Sequence, residues 1–235
     1  MSGLKFENGR ALPLKELTLT ARAAVRVWLA GPADPCEIPQ QLWDALSSGE
    51  KERAGRYHRV QDQALFALTR GSLRYVLSAA MGVPPQDIAF AEGPYGKPYL
   101  AGHPAPHFNV SHSGSLALIG VSPSRPVGVD IELVRGAGDE IELAKAFFTQ
   151  AEHRTLEGLP HKALMSSFYK IWTCKEAVLK ASGRGITEHL KDFSVELTKD
   201  GYAIRPEPLC PAAIAAIAAW PVEVPEGYAG CYALA

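Results

Sequence analysis

The stretch that decides the fold lies at residues 127–132 and runs Val127-Gly128-Val129-Asp130-Ile131-Glu132. Residues two apart in a β-strand point to the same side of the sheet. A strand here would bury Val129 and Ile131 on one face and place Asp130 and Glu132 together on the other, with their Cα atoms roughly 6.7 Å apart. Two carboxylates at this distance repel each other unless a cation joins them. Taken alone, the same pattern also fits a surface strand with two solvated acids.

Residues 172–180 place a third carboxylate on a predicted helix. Steps of four residues align Trp172, Glu176 and Lys180 in one stripe, with neighbouring Cβ atoms roughly 5–6 Å apart. An exposed Glu–Lys pair, which contributes only about 0.3–0.5 kcal/mol, also explains this stripe when it is viewed alone. Together, the strand and the helix give three carboxylates without a cysteine or histidine cluster. This set favours magnesium bound with substrate phosphates, and Lys180 would then neutralise a phosphate that bridges to the metal.

Outward from these stretches, the sequence predicts an α+β pattern that occurs twice. In the first part, we expect one or two strands within residues 14–28, a short helix at 39–43, a long helix at 61–81 ended by Gly82, a turn at 92–98 and strands at 107–111 and 116–121. In the second part, we expect a strand at 127–133, a helix at 141–148, a capping box from Thr149 to Glu152, a long helix at 164–181 ended by Gly183, and strands at 193–197, 202–204, 214–220 and 227–234. Pro123 and Pro126 mark the boundary between two predicted domains, residues 1–124 and 125–235.

Composition narrows the class of protein. The 235 residues include 24 Lys and Arg against 25 Asp and Glu, and the net charge is −1. A nucleic-acid binder normally carries a basic excess, so we expect no nucleic-acid partner. The longest apolar run, at residues 212–220, is far shorter than the roughly 20 residues that a membrane span needs. The four cysteines have neither zinc nor disulfide spacing, which favours a cytoplasmic location.

Several residues outside the carboxylate motifs are candidates for phosphate binding. A basic stretch between residues 51 and 59 suits a terminal phosphate, although a solvated basic segment explains it equally well. Arg70 and Arg74, four apart on the predicted long helix, either bind an anion or cover the helix surface. Lys97 lies in a turn where backbone can approach a ligand, although a surface lysine is the commoner case. Ser111 and His112 end a strand among other polar side chains that can bond phosphate oxygens.

Taken in order, these motifs resemble those of the Sfp-type 4′-phosphopantetheinyl transferases. The resemblance rests on Gly96-Lys97-Pro98, Phe108-Asn109-Val110-Ser111-His112-Ser113, Gly128-Val129-Asp130-Ile131-Glu132, Phe147-Phe148-Thr149 with Glu152, and Trp172-x-x-Lys175-Glu176-Ala177-x-x-Lys180. Order and spacing match from about residue 50 to about residue 185. The resemblance implies two pseudo-symmetric halves, each a small, mostly antiparallel sheet packed on a long helix, with the active site in the cleft between them.

The resemblance also implies an activity. The enzyme would transfer the 4′-phosphopantetheine moiety of coenzyme A to a serine of an apo acyl or peptidyl carrier protein and release adenosine 3′,5′-bisphosphate. Magnesium would be held by Asp130, Glu132 and Glu176, with Glu176 and Lys180 as the catalytic residues. Coenzyme A would be bound by Arg53, Arg56, Arg70, Lys97, Ser111, His112 and Lys180. A monomer is expected because one chain supplies both halves, and Lys175 matches the motif without an evident role.

Two other functions are consistent with the same motifs. One is a binding module for coenzyme A or carrier protein that has the fold without the chemistry. The other is a magnesium-dependent phosphohydrolase, which would release adenosine bisphosphate from coenzyme A without a carrier. The sequence lacks a second cluster of acidic or histidine metal ligands, which argues against the hydrolase.

Overall fold

Two antiparallel sheets, each covered on one face by a long helix, form the framework, as the α+β pattern predicted. A computed structural model describes residues 13–19, 24–34, 37–93, 95–136, 138–185 and 188–235. The first part contains β1 (Leu14–Glu16), β2 (Arg26–Ala30), α1 (Gln40–Asp44), α2 (Ser48–Gly55), α3 (Val60–Met81), β3 (Phe90–Glu92), β4 (Pro98–Leu100), β5 (His107–Ser113) and β6 (Leu116–Ser122). The second part contains β7 (Val127–Leu133), α4 (Glu140–Phe147), α5 (Gln150–Leu156), α6 (His161–Ser182), β8 (Phe193–Thr198), β9 (Gly201–Pro206), α7 (Ala212–Ala215), β10 (Ala218–Pro221) and β11 (Tyr228–Leu234). The first sheet has the strand order β1-β2-β6-β5 and the second β7-β11-β10-β9-β8, while β3 and β4 form a separate hairpin.

Apolar clusters hold these layers together. One joins α3 to the first sheet and another joins α6 to the second. A third lies between the sheets, where Leu118 of β6 packs in one cluster with Val129 and Ile131 of β7. Alternation along β7 therefore sends its apolar side chains to the interface between the sheets, and it sends Asp130 and Glu132 to the face that α6 covers.

The two long helices end where the sequence predicts. Gly82 follows α3 with a φ of 70°, and Gly183 follows α6 with a φ of 72°. Only glycine adopts this left-handed backbone without a steric penalty, which explains both helix ends. The capping box of Thr149 and Glu152 is confirmed at the start of α5.

Two segments differ from their predictions. The basic stretch belongs partly to α2, which begins after Ser47 with a capping box to Glu50. The turn predicted at residues 92–98 is confirmed, and it closes the hairpin of β3 and β4. Residues 214–220 do not form one strand: α7 occupies Ala212–Ala215, because four alanines at residues 212–216 favour a helix, and β10 begins only at Ala218. Within the described ranges, no helix is long and apolar enough to cross a membrane.

Candidate active site

Strands β5 and β7 are linked by side chains, although they belong to different sheets. Asn109 Oδ1 accepts a hydrogen bond from a backbone N–H of β7 at 2.9 Å. Ser111 donates to Asp130 Oδ1 at 2.7 Å, and Ser113 donates to Glu132 Oε2 at 2.8 Å. Alternate residues of a strand share one face, so these three side chains of β5 all point to β7, and the two serines hold the two carboxylates.

Helix α6 reaches the same carboxylates because β7 has no side chain at Gly128. A Cβ atom there would overlap the carbonyl oxygen of Ala177. This close approach places Glu176 and Lys180, one helical turn apart, beside Asp130. The Lys180 ammonium lies 2.6 Å from Asp130 Oδ1 and 3.2 Å from Glu176 Oε2.

Negative charge exceeds positive charge in this group, which we call the carboxylate cluster (Asp130, Glu132, Glu176 and Lys180). Burial raises the pKa of Glu132, and the nearby Asp130 raises it further. Burial also raises the pKa of Glu176, with Asp130 as the second cause and Glu132 contributing. Burial alone would lower the pKa of Lys180, but Asp130 and Glu176 together raise it above its ordinary value. One ammonium thus faces three carboxylates, and a further cation would relieve the remaining repulsion.

Asp130 also has acceptor capacity that no protein donor uses. Its Oδ2 atom is buried and has no hydrogen-bond partner among the described residues. A buried carboxylate oxygen of this kind suits a divalent cation. However, no three His, Cys, Asp or Glu side chains in the described part of the chain form a ready-made metal site. The Lys180 ammonium pairs with both Asp130 and Glu176. The three predicted ligands lie close enough for their charges to raise one another's pKa.

Comparisons with known proteins show the family of the chain. A sequence model described as 4′-phosphopantetheinyl transferase superfamily matches residues 126–231, and one described as 4′-phosphopantetheinyl transferase, N-terminal, matches residues 36–124. The 4′-phosphopantetheinyl transferase HetI of Nostoc is 38% identical over 177 residues, which cover 74% of this chain and 74% of HetI. A 4′-phosphopantetheinyl transferase of Bacillus subtilis is 30% identical over 192 residues, covering 82% of this chain and 77% of that protein. The 4′-phosphopantetheinyl transferase Sfp of Bacillus subtilis is 29% identical over 196 residues, covering 83% of this chain and 79% of Sfp.

The chain belongs to the 4′-phosphopantetheinyl transferase superfamily. Its class of activity is therefore phosphopantetheinyl transfer, and the family resemblance seen in the motifs is confirmed. The α+β fold agrees with the two-part fold that the resemblance implied.

Near the carboxylate cluster, the transferase has a small basic cavity of about 160 Å³. It is lined by Arg53, Tyr57, Phe66, Thr69, Arg70, Leu73, Pro98, Val110 and His112. Three of the predicted coenzyme A contacts, Arg53, Arg70 and His112, therefore lie around one cavity. Arg56 is exposed and is not among the lining residues.

His112 connects the basic cavity with the carboxylate cluster. Burial lowers the pKa of His112, the charge of Lys180 lowers it further, and Asp130 opposes both effects. His112 therefore lies within electrostatic range of both charged groups while it lines the cavity. Ser111, its neighbour on β5, points the other way and accepts a hydrogen bond from Lys180 at 3.2 Å. The Ser111 hydroxyl thus has both Asp130 and Lys180 as partners. Its predicted contact with coenzyme A stays a prediction.

Lys97 contacts the end of α6 in this structure. Its ammonium donates to the carbonyl oxygen of Lys180 at 2.5 Å and to that of Val127 at 3.3 Å. Burial lowers the pKa of Lys97 to about 8, and the nearby Lys180 is the second cause. The side chain thus ties the β3–β4 hairpin to the carboxyl end of the helix. Its predicted contact with the adenosine end of coenzyme A stays untested.

Lys175, for which the motif gave no role, is buried inside the second half. Its ammonium lies 2.9 Å from Glu152 Oε2 and donates to the carbonyl oxygens of Leu190 at 2.7 Å and Phe193 at 2.5 Å. It therefore ties α6 to the start of α5 and to the segment that leads into β8. One sequence signal could have shown this burial: Lys175 shares helical spacing with the apolar face of α6, including Phe168, rather than with Glu176 and Lys180.

Proposed function

We propose that this transferase moves the 4′-phosphopantetheine arm of coenzyme A to a serine of an apo acyl or peptidyl carrier protein and releases adenosine 3′,5′-bisphosphate. The observation that carries the proposal is the carboxylate cluster beside a separate basic cavity, with His112 interacting electrostatically with the cluster. Coenzyme A likewise has two separate phosphate groups. One is the diphosphate at the reacting end of the nucleotide, and the other is the 3′-phosphate on the ribose. The cluster suits the diphosphate, and the basic cavity suits the 3′-phosphate.

Magnesium is the cation that we propose for the carboxylate cluster. Asp130, Glu132 and Glu176 would hold it, and the free Oδ2 atom of Asp130 together with the excess of negative charge supports this choice. When bound, the ion would neutralise charge on the diphosphate oxygens.

Residues of the cluster would support an in-line displacement at the phosphorus that bears the pantetheine. The oxygen of the carrier serine forms the new bond to phosphorus, and the bond from phosphorus to the bridging oxygen of the diphosphate breaks. Glu176 would take the proton of the serine, since its carboxylate lies in the cluster one helical turn from Lys180. Lys180 would stabilise the negative charge that develops on the leaving oxygen of adenosine bisphosphate.

We also propose that the transferase acts as a monomer in the cytoplasm. The residues of the carboxylate cluster and of the basic cavity all come from one chain, so a second copy is not needed to complete the site. Cys174, Cys210 and Cys231 are free thiols, which agrees with a reducing compartment.

Mass spectrometry of apo carrier proteins tests the proposed function. A panel of acyl and peptidyl carriers is incubated with the transferase, coenzyme A and magnesium, with EDTA in a parallel sample. We expect a mass gain of one phosphopantetheine on at least one carrier, and no gain with EDTA. No gain on any carrier would contradict the proposal and favour a binding module. Release of adenosine bisphosphate without any carrier would instead identify a hydrolase.

A further inference from the structure

Thr69, in the middle of α3, has a buried hydroxyl without a protein partner. The residue is 7% exposed, and its Oγ1 atom has no hydrogen-bond partner among the described residues. Threonine inside a helix ordinarily donates back to a preceding carbonyl. Thr173 does so in α6, where its hydroxyl donates to the carbonyl oxygen of Tyr169 at 2.9 Å. The unused hydroxyl of Thr69 therefore requires a separate explanation.

The position of Thr69 supplies that explanation, because the residue lines the basic cavity. Arg70 is held there by Glu50, at 3.4 Å between Nε and Oε1, and its guanidinium lies 4.8 Å from the centre of the Phe90 ring. Arg53 lies over the ring of Phe66 at 5.3 Å. No acidic side chain is among the described residues that line the cavity. The cavity therefore combines two arginine side chains with a neutral donor, which suits a phosphate monoester.

We propose that Thr69 is a specificity-determining residue whose hydroxyl donates to the 3′-phosphate of coenzyme A. This inference rests on the proposed function, since it assigns the basic cavity to the 3′-phosphate. The hydroxyl finds its acceptor only when a phosphorylated nucleotide is bound. Thr69 thus favours coenzyme A over 3′-dephospho-coenzyme A, which offers no acceptor at this point.

Ser72 provides a matched control on the same helix. Its hydroxyl is also buried without a partner among the described residues, but Ser72 does not line the basic cavity. Changing Ser72→Ala removes an unused hydroxyl from α3 without touching the proposed phosphate contact. Thr69→Val removes the hydroxyl and keeps the shape of the side chain, whereas Thr69→Ser keeps the hydroxyl.

The experiment compares coenzyme A with 3′-dephospho-coenzyme A, both as ligands in calorimetric titrations and as substrates with a responsive carrier. We expect Thr69→Val to lower the preference for coenzyme A by about tenfold or more, because a hydrogen bond to a charged group is lost. Thr69→Ser and Ser72→Ala should keep the wild-type preference. A second substitution, Thr69→Ala, repeats the test if the valine variant does not fold.

Two results would overturn the inference. One is an unchanged preference in a folded Thr69→Val or Thr69→Ala variant, and the other is an equal loss of affinity for both nucleotides. The titrations keep this question separate from the proposed function. If wild-type protein modifies no carrier, the transferase proposal fails, while the binding preference still decides the role of Thr69.

Discussion

Two lysines on α6, five residues apart, show how differently one helix uses the same side chain. Lys175 is fully buried, and its ammonium has a carboxylate and two carbonyl oxygens as partners. Lys180 is partly accessible and pairs with two carboxylates, Asp130 and Glu176, and Asp130 retains an unpaired buried oxygen. The charge of Lys175 is thus fully partnered within the protein. Beside Lys180, in contrast, an acceptor oxygen of Asp130 is left for a ligand.

This difference separates a residue that holds the fold from those that we propose to act on substrate. Buried polar groups in proteins normally have partners, so a complete set such as that around Lys175 indicates a structural role. Excess negative charge and an unused acceptor, as at Asp130, indicate a site for a ligand. Substitutions at the two sites should therefore change different properties, stability at one and transfer at the other.

The largest expected effect is on transfer. Glu176→Gln removes the proposed base but keeps the size of the side chain, and we expect the transfer rate to fall by about 10²–10⁴-fold. Rates are measured by the mass shift of a carrier protein, and circular dichroism checks that the variant is folded. Labelling at the wild-type rate by this variant would remove Glu176 from the mechanism.

The largest expected effect on stability is at the other lysine. Lys175→Met leaves Glu152 buried without its cation, so we expect a loss of about 3–5 kcal/mol in the free energy of unfolding. Denaturant titration measures the loss. The double variant Lys175→Met with Glu152→Gln should recover much of it, because no unpaired charge is then buried. A single variant as stable as the wild type would show that the buried ion pair does not hold α6 in place.

Gly128 tests whether the approach of α6 sets up the cluster. Gly128→Ala forces a methyl group against the carbonyl oxygen of Ala177, and we expect a loss of about 1–3 kcal/mol in stability together with slower transfer. Gly230→Ala, on β11, is a useful comparison because its Cβ would meet only side chains. Equal transfer rates in wild type and a folded Gly128→Ala variant would show that the spacing between α6 and β7 is not critical.

The smallest expected effect concerns repulsion within the cluster. The pKa of Glu132 is higher in the folded protein than in the unfolded chain. The stability that Glu132 contributes is therefore fully present below the unfolded pKa, and it is lost as the pH rises through the folded pKa. Glu132→Gln keeps an acceptor for Ser113 and removes the charge. In EDTA at pH 7, we expect this variant to be more stable by a few tenths of a kcal/mol up to about 1 kcal/mol. Lower stability at pH 7, with no change in its pH dependence, would contradict the repulsion.

Local patterns predicted the framework and the placement of two carboxylates on one strand face. The alternation at residues 127–133 placed Asp130 and Glu132 on one face, and β7 has the predicted bounds. The glycines that follow the two long helices predicted where these helices end. The strand alternation and the glycine signal both lie within a few residues of the element that they define. The helix at Ala212–Ala215 was missed because the apolar run around it also suits a buried strand.

Contacts between distant elements could not be predicted in this way. The motif at residues 108–113 marked Ser111 and His112 alike as phosphate contacts, but one points to β7 and the other lines the basic cavity. The partners of Lys97 and Lys175 come from segments far along the chain, which a local pattern does not reveal. Thr69 belongs to none of the sequence motifs. Only the structure shows that it lines the cavity that α3 helps to form.

Divalent-ion binding tests the central claim most directly. Manganese, as a spectroscopic substitute for magnesium, is titrated into wild-type protein and Asp130→Asn in the presence of coenzyme A, and free ion is followed by electron paramagnetic resonance. The account predicts one tightly bound ion per chain in the wild type and a large loss of affinity in the variant, which keeps an acceptor for Ser111. Equal binding by the two proteins would show that the carboxylates at 130, 132 and 176 do not share an ion.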